Sequence, residues 1–271
     1  MGRTAATAAK ADEGLLCVRD VTVRFGGIVA LSAVSFDVNE SDIVGLIGPN
    51  GAGKTTLFNC LSRIYRPTAG DIRFAGRSIL GEPRHRVAAL GIGRTFQNVA
   101  LYDGMSVRDN VLVGGHARSG TGFVSNALRL PRVADEETGL RERADAELAF
   151  MKIAEFADRP AGSLPFPIRK RVELARALMT RPRLLLLDEP AAGLNHEEVE
   201  ALKAQIRRLR DERRITVLLV EHHMNLVMSV SDRVVVVDFG RRIAEGTPDD
   251  VRRDPEVIRA YLGGARDGRP A

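Results

Sequence analysis

Gly48-Pro49-Asn50-Gly51-Ala52-Gly53-Lys54-Thr55 has the spacing G-x-x-x-x-G-K-T, and each residue type in it has a mechanical reason. Glycines let backbone N–H groups approach a phosphate closely, and the helix that follows presents its positive N-terminus to the anion. Lys54 would reach the β- and γ-phosphates of a nucleotide, and the Thr55 hydroxyl would ligate Mg²⁺. A glycine-rich turn that binds nothing fits less well, because the string lies between a strand and a helix as the motif demands. Further on, Leu184-Leu185-Leu186-Leu187 runs into Asp188-Glu189. That sets two carboxylates at the carboxyl end of a buried strand, where α/β sheets bind ligands. Asp188 would hold the metal, directly or through water, and Glu189 could polarise an attacking water. An apolar strand ending in Asp-Glu is common by itself. Beside the phosphate loop it reads as the second half of one site, built to hydrolyse a nucleoside triphosphate.

Such groups need a sheet to hold them. Residues 43–47 are a short apolar run that ends in the loop, and 54–64 are helical. Upstream, 15–25 and 28–38 read as strands joined at Gly26-Gly27 in a hairpin, and 72–74 adds a further short strand. From about 97 to 178 the pattern is helical. Within 136–158, Leu140, Ala144, Leu148 and Met151 share one face, which stops before Pro160. Buried strands follow at 184–187, 215–220 and 234–238. Between them, 196–213 is a helix with Val199, Leu202, Ile206 and Leu209 on one side. A short terminal helix begins at Asp254-Pro255 and runs through Leu262. Apolar strands alternating with helices predict a mostly parallel sheet covered on both faces. The expected fold is α/β: a P-loop nucleotide-binding domain with a parallel core sheet, an antiparallel β edge and an inserted α-helical subdomain. The expected boundaries are a flexible tail over 1–13, one ATPase domain over 14–264 with its insert at about 97–178, and a second tail over 265–271.

Composition narrows the classes. The 271 residues are 44% hydrophobic and 28% charged, which suits a chain that buries a real core and excludes collagen-like or disordered types. Lys+Arg 40 against Asp+Glu 35 leaves a net charge of +5, too little to argue for nucleic acid or anionic lipid. The basic cluster Arg207, Arg208, Arg210, Arg213 and Arg214 reads as a solvated helix face paired with Asp211 and Glu212. Cys17 and Cys60 fit a reducing compartment and lack metal-ligand spacing. No apolar run reaches the ~18 residues needed to span a bilayer, and the Ala-rich start lacks the apolar region of a secretory signal. The expectation is a cytosolic protein that reaches a membrane through partners, without direct insertion.

Over nearly its whole length the chain resembles the ATP-binding cassettes of ABC transporters. The resemblance implies that ATP binds at Phe25, Gly48, Pro49, Asn50, Gly51, Ala52, Gly53, Lys54, Thr55 and Thr56. Phe25, 23 residues before Gly48, would stack on adenine, although an aromatic in a strand is ordinarily core. Gln97, in Gly93-Arg94-Thr95-Phe96-Gln97-Asn98, matches the glutamine that joins the core to the insert and senses Mg²⁺ and water; Thr55, Gln97 and Asp188 would arrange the metal. His222, directly after a buried strand, matches the switch histidine at the γ-phosphate, with Glu189 and Lys54 as its catalytic companions. Ala192-Gly193-Leu194-Asn195 matches the loop that meets the partner cassette, with Asn195 where many relatives carry Asp, and His223 fills a position that is often acidic.

Within this family the likeness is to cassettes of branched-chain or hydrophobic amino-acid importers. It is carried by Arg24-Phe25-Gly26-Gly27, by Ala175-Arg176-Ala177-Leu178-Met179-Thr180-Arg181-Pro182, by Glu189 through Asn195, and by the ending from Gly246-Thr247-Pro248 to Gly263. The stretch 123–132 is also similar. Cassettes for urea import or lipopolysaccharide extraction share several of these strings. The resemblance implies a second ABC ATPase subunit, two transmembrane permeases and a solute-binding protein as partners, no nucleic acid, and a place on the cytoplasmic face of the membrane. Coupling contacts to the permeases would lie near 97–110.

One segment breaks the pattern. Where the family carries Leu-Ser-Gly-Gly-Gln, this chain has Leu164-Pro165-Phe166-Pro167-Ile168. In the family that segment crosses a head-to-tail dimer and bonds the γ-phosphate on the opposite subunit. Proline has no N–H and fills space where glycine allows close approach. Pro165 reads as a helix start, but Pro167 removes a donor that nothing restores. Each charge-assisted hydrogen bond lost would cost roughly 1.5–3 kcal/mol of phosphate stabilisation. The chain's own phosphate loop is intact, so the weak site is the one it completes for its partner. That favours a heterodimer, or else a subunit with low turnover of its own.

Overall fold

The computed structural model describes residues 14–95, 99–115 and 131–263. Two sheets carry the architecture. The first is antiparallel and has four strands: β1 (Leu16–Phe25), β2 (Ile28–Val38), β4 (Ala69–Phe74) and β5 (Arg77–Ser78), in the order β2-β1-β4-β5. The second has six: β3 (Ile43–Ile47), β6 (Ile92–Arg94), β7 (Leu184–Asp188), β8 (Thr216–Val220), β9 (Arg233–Asp238) and β10 (Arg241–Gly246), in the order β10-β9-β3-β8-β7-β6. All its neighbours pair parallel except β10, which runs antiparallel along the edge beside β9. The α/β fold with a mainly parallel core and an antiparallel β layer is the one the alternation predicts.

Period-two alternation inside β3, β7 and β8 divides the core into two layers. Val44, Leu46, Leu184, Leu186, Leu218 and Val220 join the cluster that contains Leu16, Phe36 and Phe58, between the two sheets. Ile43, Ile47, Leu185, Leu187, Val217 and Leu219 face the opposite way, toward the helices. Because both faces are covered, these strands are apolar throughout.

The helices that matter for the site are α1 (Lys54–Leu61), α5 (Phe166–Leu178), α6 (His196–Arg213) and α7 (Met224–Val230). Between β6 and β7 the chain forms α3 (Val107–Val113), α4 (Pro131–Phe150) and α5, preceded by the short α2 (Val87–Leu90). At the end, α8 (Pro248–Arg253) and α9 (Pro255–Gly263) follow a Thr247–Asp250 capping box.

Several boundaries differ from the sequence expectation, each for a local reason. The first helix stops at Leu61, not 64, because Arg63 adopts φ 58° and the Ile64 N–H closes back on Asn59 O. The helix expected over 136–158 begins at Pro131 and ends at Phe150. There Lys152, at φ 56°, reverses the chain and Ile153 N–H donates to Leu148 O at 3.0 Å. Strands β6 and β10 were not expected. β6 has only three residues, and Arg241-Arg242-Ile243-Ala244-Glu245-Gly246 has no clear alternation. Among the described residues no helix is long and apolar enough to cross a membrane.

Candidate active site

The phosphate loop leaves β3 at Ile47 and enters α1 at Lys54. Two of its glycines are required by their surroundings. A Cβ on Gly48 would stand 2.0 Å from Val237 O, and one on Gly53, at φ +101°, would stand 2.7 Å from Ala30 O. The loop is held in place because Gly240 N–H donates to Ala52 O at 3.0 Å while Gly240 O accepts from Ser32 N–H at 2.8 Å. Lys54 is buried, and its Nζ donates to Gly48 O at 2.6 Å and Pro49 O at 2.9 Å. Burial pushes its ammonium below the usual lysine range, and the nearby Glu189 charge opposes that shift. Thr55 is exposed at the mouth of the helix and Thr56 is half-buried behind it.

The acidic pair lies across the same sheet edge. Asp188 closes β7 and is buried; its Oδ2 accepts from Arg94 Nη2 at 2.8 Å. Arg94, at the end of β6, also donates from Nη1 to Asn59 Oδ1 and Ser62 Oγ, both at 2.9 Å, and so ties α1 to the carboxylate. Glu189 adopts φ 47°, and its N–H donates to Val220 O at 2.9 Å. A left-handed backbone is uncommon for a residue with a side chain, and such outliers gather at functional sites. His222 Nε2 lies 2.7 Å from Glu189 Oε1. An ionised carboxylate only accepts, so the imidazole donates from Nε2.

The ends of β3, β7 and β8 therefore bring Lys54, Asp188, Glu189 and His222 together. Phe25, at the end of β1, is 46% exposed, and its ring meets Tyr65 edge-on at 5.2 Å. An exposed, laterally supported aromatic is what a stacking platform needs.

Sequence comparison decides the family. Residues 31–192 match the ABC transporter model, and 241–267 match the model described as branched-chain amino acid ATP-binding cassette transporter. The chain belongs to the ABC transporter family. It is 48% identical, over 93% of its length and 98% of the relative's, to the high-affinity branched-chain amino acid transport ATP-binding protein BraF of Pseudomonas aeruginosa. It is 44% identical over the same shares to LivG of Escherichia coli, which carries the same description. Its fold is similar to a nucleotide-free ATP-binding cassette from an ABC transporter, with TM-score 0.79 and 31% identity over 91% of this chain and 98% of that one. The cassette is thus an ATP-binding ATPase of this family.

The other positions singled out in the sequence have local surroundings of their own. Gln97 and the 123–130 stretch lie outside the described residues. Asn195 caps α6: its Oδ1 accepts from Glu198 N–H at 3.0 Å, and Glu198 Oε2 accepts from Asn195 N–H at 2.8 Å. Pro165 is the N-cap of α5 and Pro167 lies within its first turn, where a missing N–H does not break the helix. Ile168 and Arg169 N–H both donate to Pro165 O, at 3.0 and 3.1 Å. Phe166, 42% exposed, lies against Gly193 and beneath the Lys170 ammonium, 5.3 Å from the ring centre.

Three site residues escaped the sequence reading: Arg94, Lys170 and Glu221. Lys170 Nζ donates to Pro190 O at 2.9 Å and Glu189 O at 3.3 Å, and burial lowers its pKa against the pull of Glu221, Glu173 and Glu189. Glu221 does carry a signal: it is a charged residue just past the carboxyl end of β8, where α/β folds place their ligands. Arg94 closes β6, whose three residues leave no pattern to read.

Oxygen donors suit Mg²⁺, which is usually held by one or two carboxylates together with substrate phosphate oxygens. The Thr55 hydroxyl and Asp188 carboxylate fit that requirement. Among the described residues no group of three or more His, Cys, Asp or Glu could hold a metal alone; a Mg²⁺ ion here would take further oxygens from the phosphates.

Proposed function

We propose that this cassette powers the import of branched-chain amino acids, acting at the cytoplasmic face of the membrane beside two permease subunits, a solute-binding protein and a second, different cassette. The convergence of Lys54, Asp188, Glu189 and His222 at one sheet edge carries the hydrolytic part of this reading. Support for the cargo comes from the descriptions of the relatives and of the C-terminal family model.

In the reaction, Phe25 stacks on adenine and the amides of the loop from Gly48 to Thr56 receive the phosphates. Lys54 turns from its loop carbonyls to the β- and γ-phosphates. Glu189 accepts the proton of the attacking water on its carboxylate, and His222, already 2.7 Å away, orients that carboxylate and meets the γ-phosphate. Mg²⁺, held by Thr55, Asp188 and Gln97, would neutralise charge on the phosphate oxygens. The prolines of the signature segment support a weaker hydrolytic site at the one this chain completes for its partner.

Glu189→Gln tests the assignment. ATP turnover at this chain's own site should fall by about 10²–10⁴-fold, while nucleotide affinity stays within a few-fold. Turnover that survives the substitution would remove Glu189 from the chemistry.

A further inference from the structure

Glu221 follows β8 and is 3% exposed, a carboxylate in the interior whose bonds all go to backbone amides. Its Oε1 accepts from Ala191 N–H at 2.5 Å, two residues after Glu189. Its Oε2 accepts from His222 N–H at 3.0 Å and His223 N–H at 3.2 Å. One oxygen thus holds the loop of the catalytic glutamate and the other holds the loop of the switch histidine. Lys170, on the helix that the signature segment opens, feels the Glu221 charge, and its Nζ donates to the carbonyls of Glu189 and Pro190. The left-handed backbone of Glu189 is therefore braced on its N–H by Val220 O, on its C=O by Lys170, and two residues later by Glu221.

We propose that Glu221 is a positioning residue for ATP hydrolysis, with Lys170 bracing the Glu189 carbonyl beside it: a single carboxylate brackets two loops and fixes the Glu189–His222 pair. The inference rests on the reading of Glu189 and His222 as the hydrolytic pair. The residue type follows from the geometry. Amides arriving on both oxygens need two acceptors with no donor, and only an ionised carboxylate offers that. Glutamine keeps the volume but turns an NH₂ group toward one loop, which releases that loop. Aspartate is one methylene shorter and cannot span both. The bracket also reaches α5, because Lys170 belongs to that helix, so movement of the signature segment is transmitted to the hydrolytic pair of the same chain.

The test uses the assembled transporter; if the second cassette is a different chain, its own catalytic glutamate is replaced so that turnover reports this site. Displacing reacting groups by about 1 Å costs up to about 10²-fold. E221Q should lower kcat about 10- to 100-fold with KM for ATP and fluorescent-nucleotide affinity within about twofold. In single turnovers followed over hours, E221Q should add no further loss to E189Q, since the group it positions is already gone. K170M should give the same kcat-only defect, smaller in size, and carries the test if E221Q does not fold. Turnover of E221Q and K170M within about twofold of the unmodified protein, with E189Q inactive, overturns the positioning role and leaves Glu189 in place. A loss that appears equally on the E189Q background, or in step with ATP affinity, overturns it as well. Turnover retained by E189Q overturns the underlying reading instead.

Discussion

Arg94→Met probes how the Asp188 carboxylate is held. Methionine keeps much of the side-chain volume and removes the charge, together with the 2.8 Å bond to Asp188 and the 2.9 Å bonds to Asn59 and Ser62. The two charged side chains are only 10% and 7% exposed, so salt screens them little. Breaking a buried pair from one side costs about 3–5 kcal/mol, because the remaining charge is left without compensation. We expect a loss at the lower end of that range, about 3 kcal/mol. For a chain of this size 1 kcal/mol moves the midpoint by about 2–4 °C, and Tm should fall by about 6–12 °C. Thermal unfolding without added nucleotide measures it. The control is R94M/D188N, in which the orphaned charge is also gone. Double-mutant coupling of about 1–3 kcal/mol should return several degrees. A fall in Tm of less than 2 °C for R94M, or no recovery in the double variant, would refute the argument.

Three further expectations concern other links of the chain from sequence to function. Phe25→Ala should weaken ATP binding about 5- to 100-fold, with Phe25→Tyr near the unmodified value, because base–aromatic stacking is worth about 1–3 kcal/mol; equal affinities in a fluorescent-nucleotide titration would exclude the stack. P165S/P167G should raise turnover of the chain assayed alone by about tenfold or more by restoring phosphate donors, and brisk turnover by the unmodified chain alone would sink this. Burial holds the Glu147 carboxyl above its ordinary value of 4.5, against the pull of Arg213, so its stabilising contribution is complete below pH 4.5 and is lost as pH rises through the raised value. E147Q should therefore melt higher than the unmodified protein at pH 8 and alongside it at pH 4; a Tm gap that persists in acid contradicts the sign.

What could be read from the sequence was whatever is local. The phosphate loop is contiguous, and α6 runs over His196–Arg213 as its periodicity indicates. The buried strands β3, β7 and β8 announce themselves by apolar runs. Phe25 needed the family resemblance, since composition alone would put an aromatic inside, and it is exposed. The rest depends on distant parts of the chain meeting. Arg94 and Asp188 are 94 residues apart, and Ala191 and Glu221 are 30 apart. Neither pairing leaves a spacing to recognise. β10 is equally silent, because an edge strand needs no strict apolar alternation and its arginines face solvent.

The contacts at this sheet edge also bear on what ATP binding must accomplish. Lys54 bonds the loop's own carbonyls, Asp188 bonds Arg94, and Glu189 bonds His222. Each of these three groups has a protein partner of complementary charge or hydrogen-bonding character. Nucleotide binding is then an exchange of partners, not the filling of unmet valences, and its net free energy is smaller than the sum of its new bonds. The exchange is also coupled. Turning Lys54 toward phosphate brings negative charge near Glu189, whose charge opposes the burial-driven fall in the Lys54 pKa. His222 is the neighbour placed to share that charge, since its Nε2 donates to Glu189 while the ring remains 47% exposed. On the proposed mechanism, replacing His222 with a residue of similar size and no donor would remove the link between phosphate charge and the Glu189 carboxylate proposed to take the water's proton.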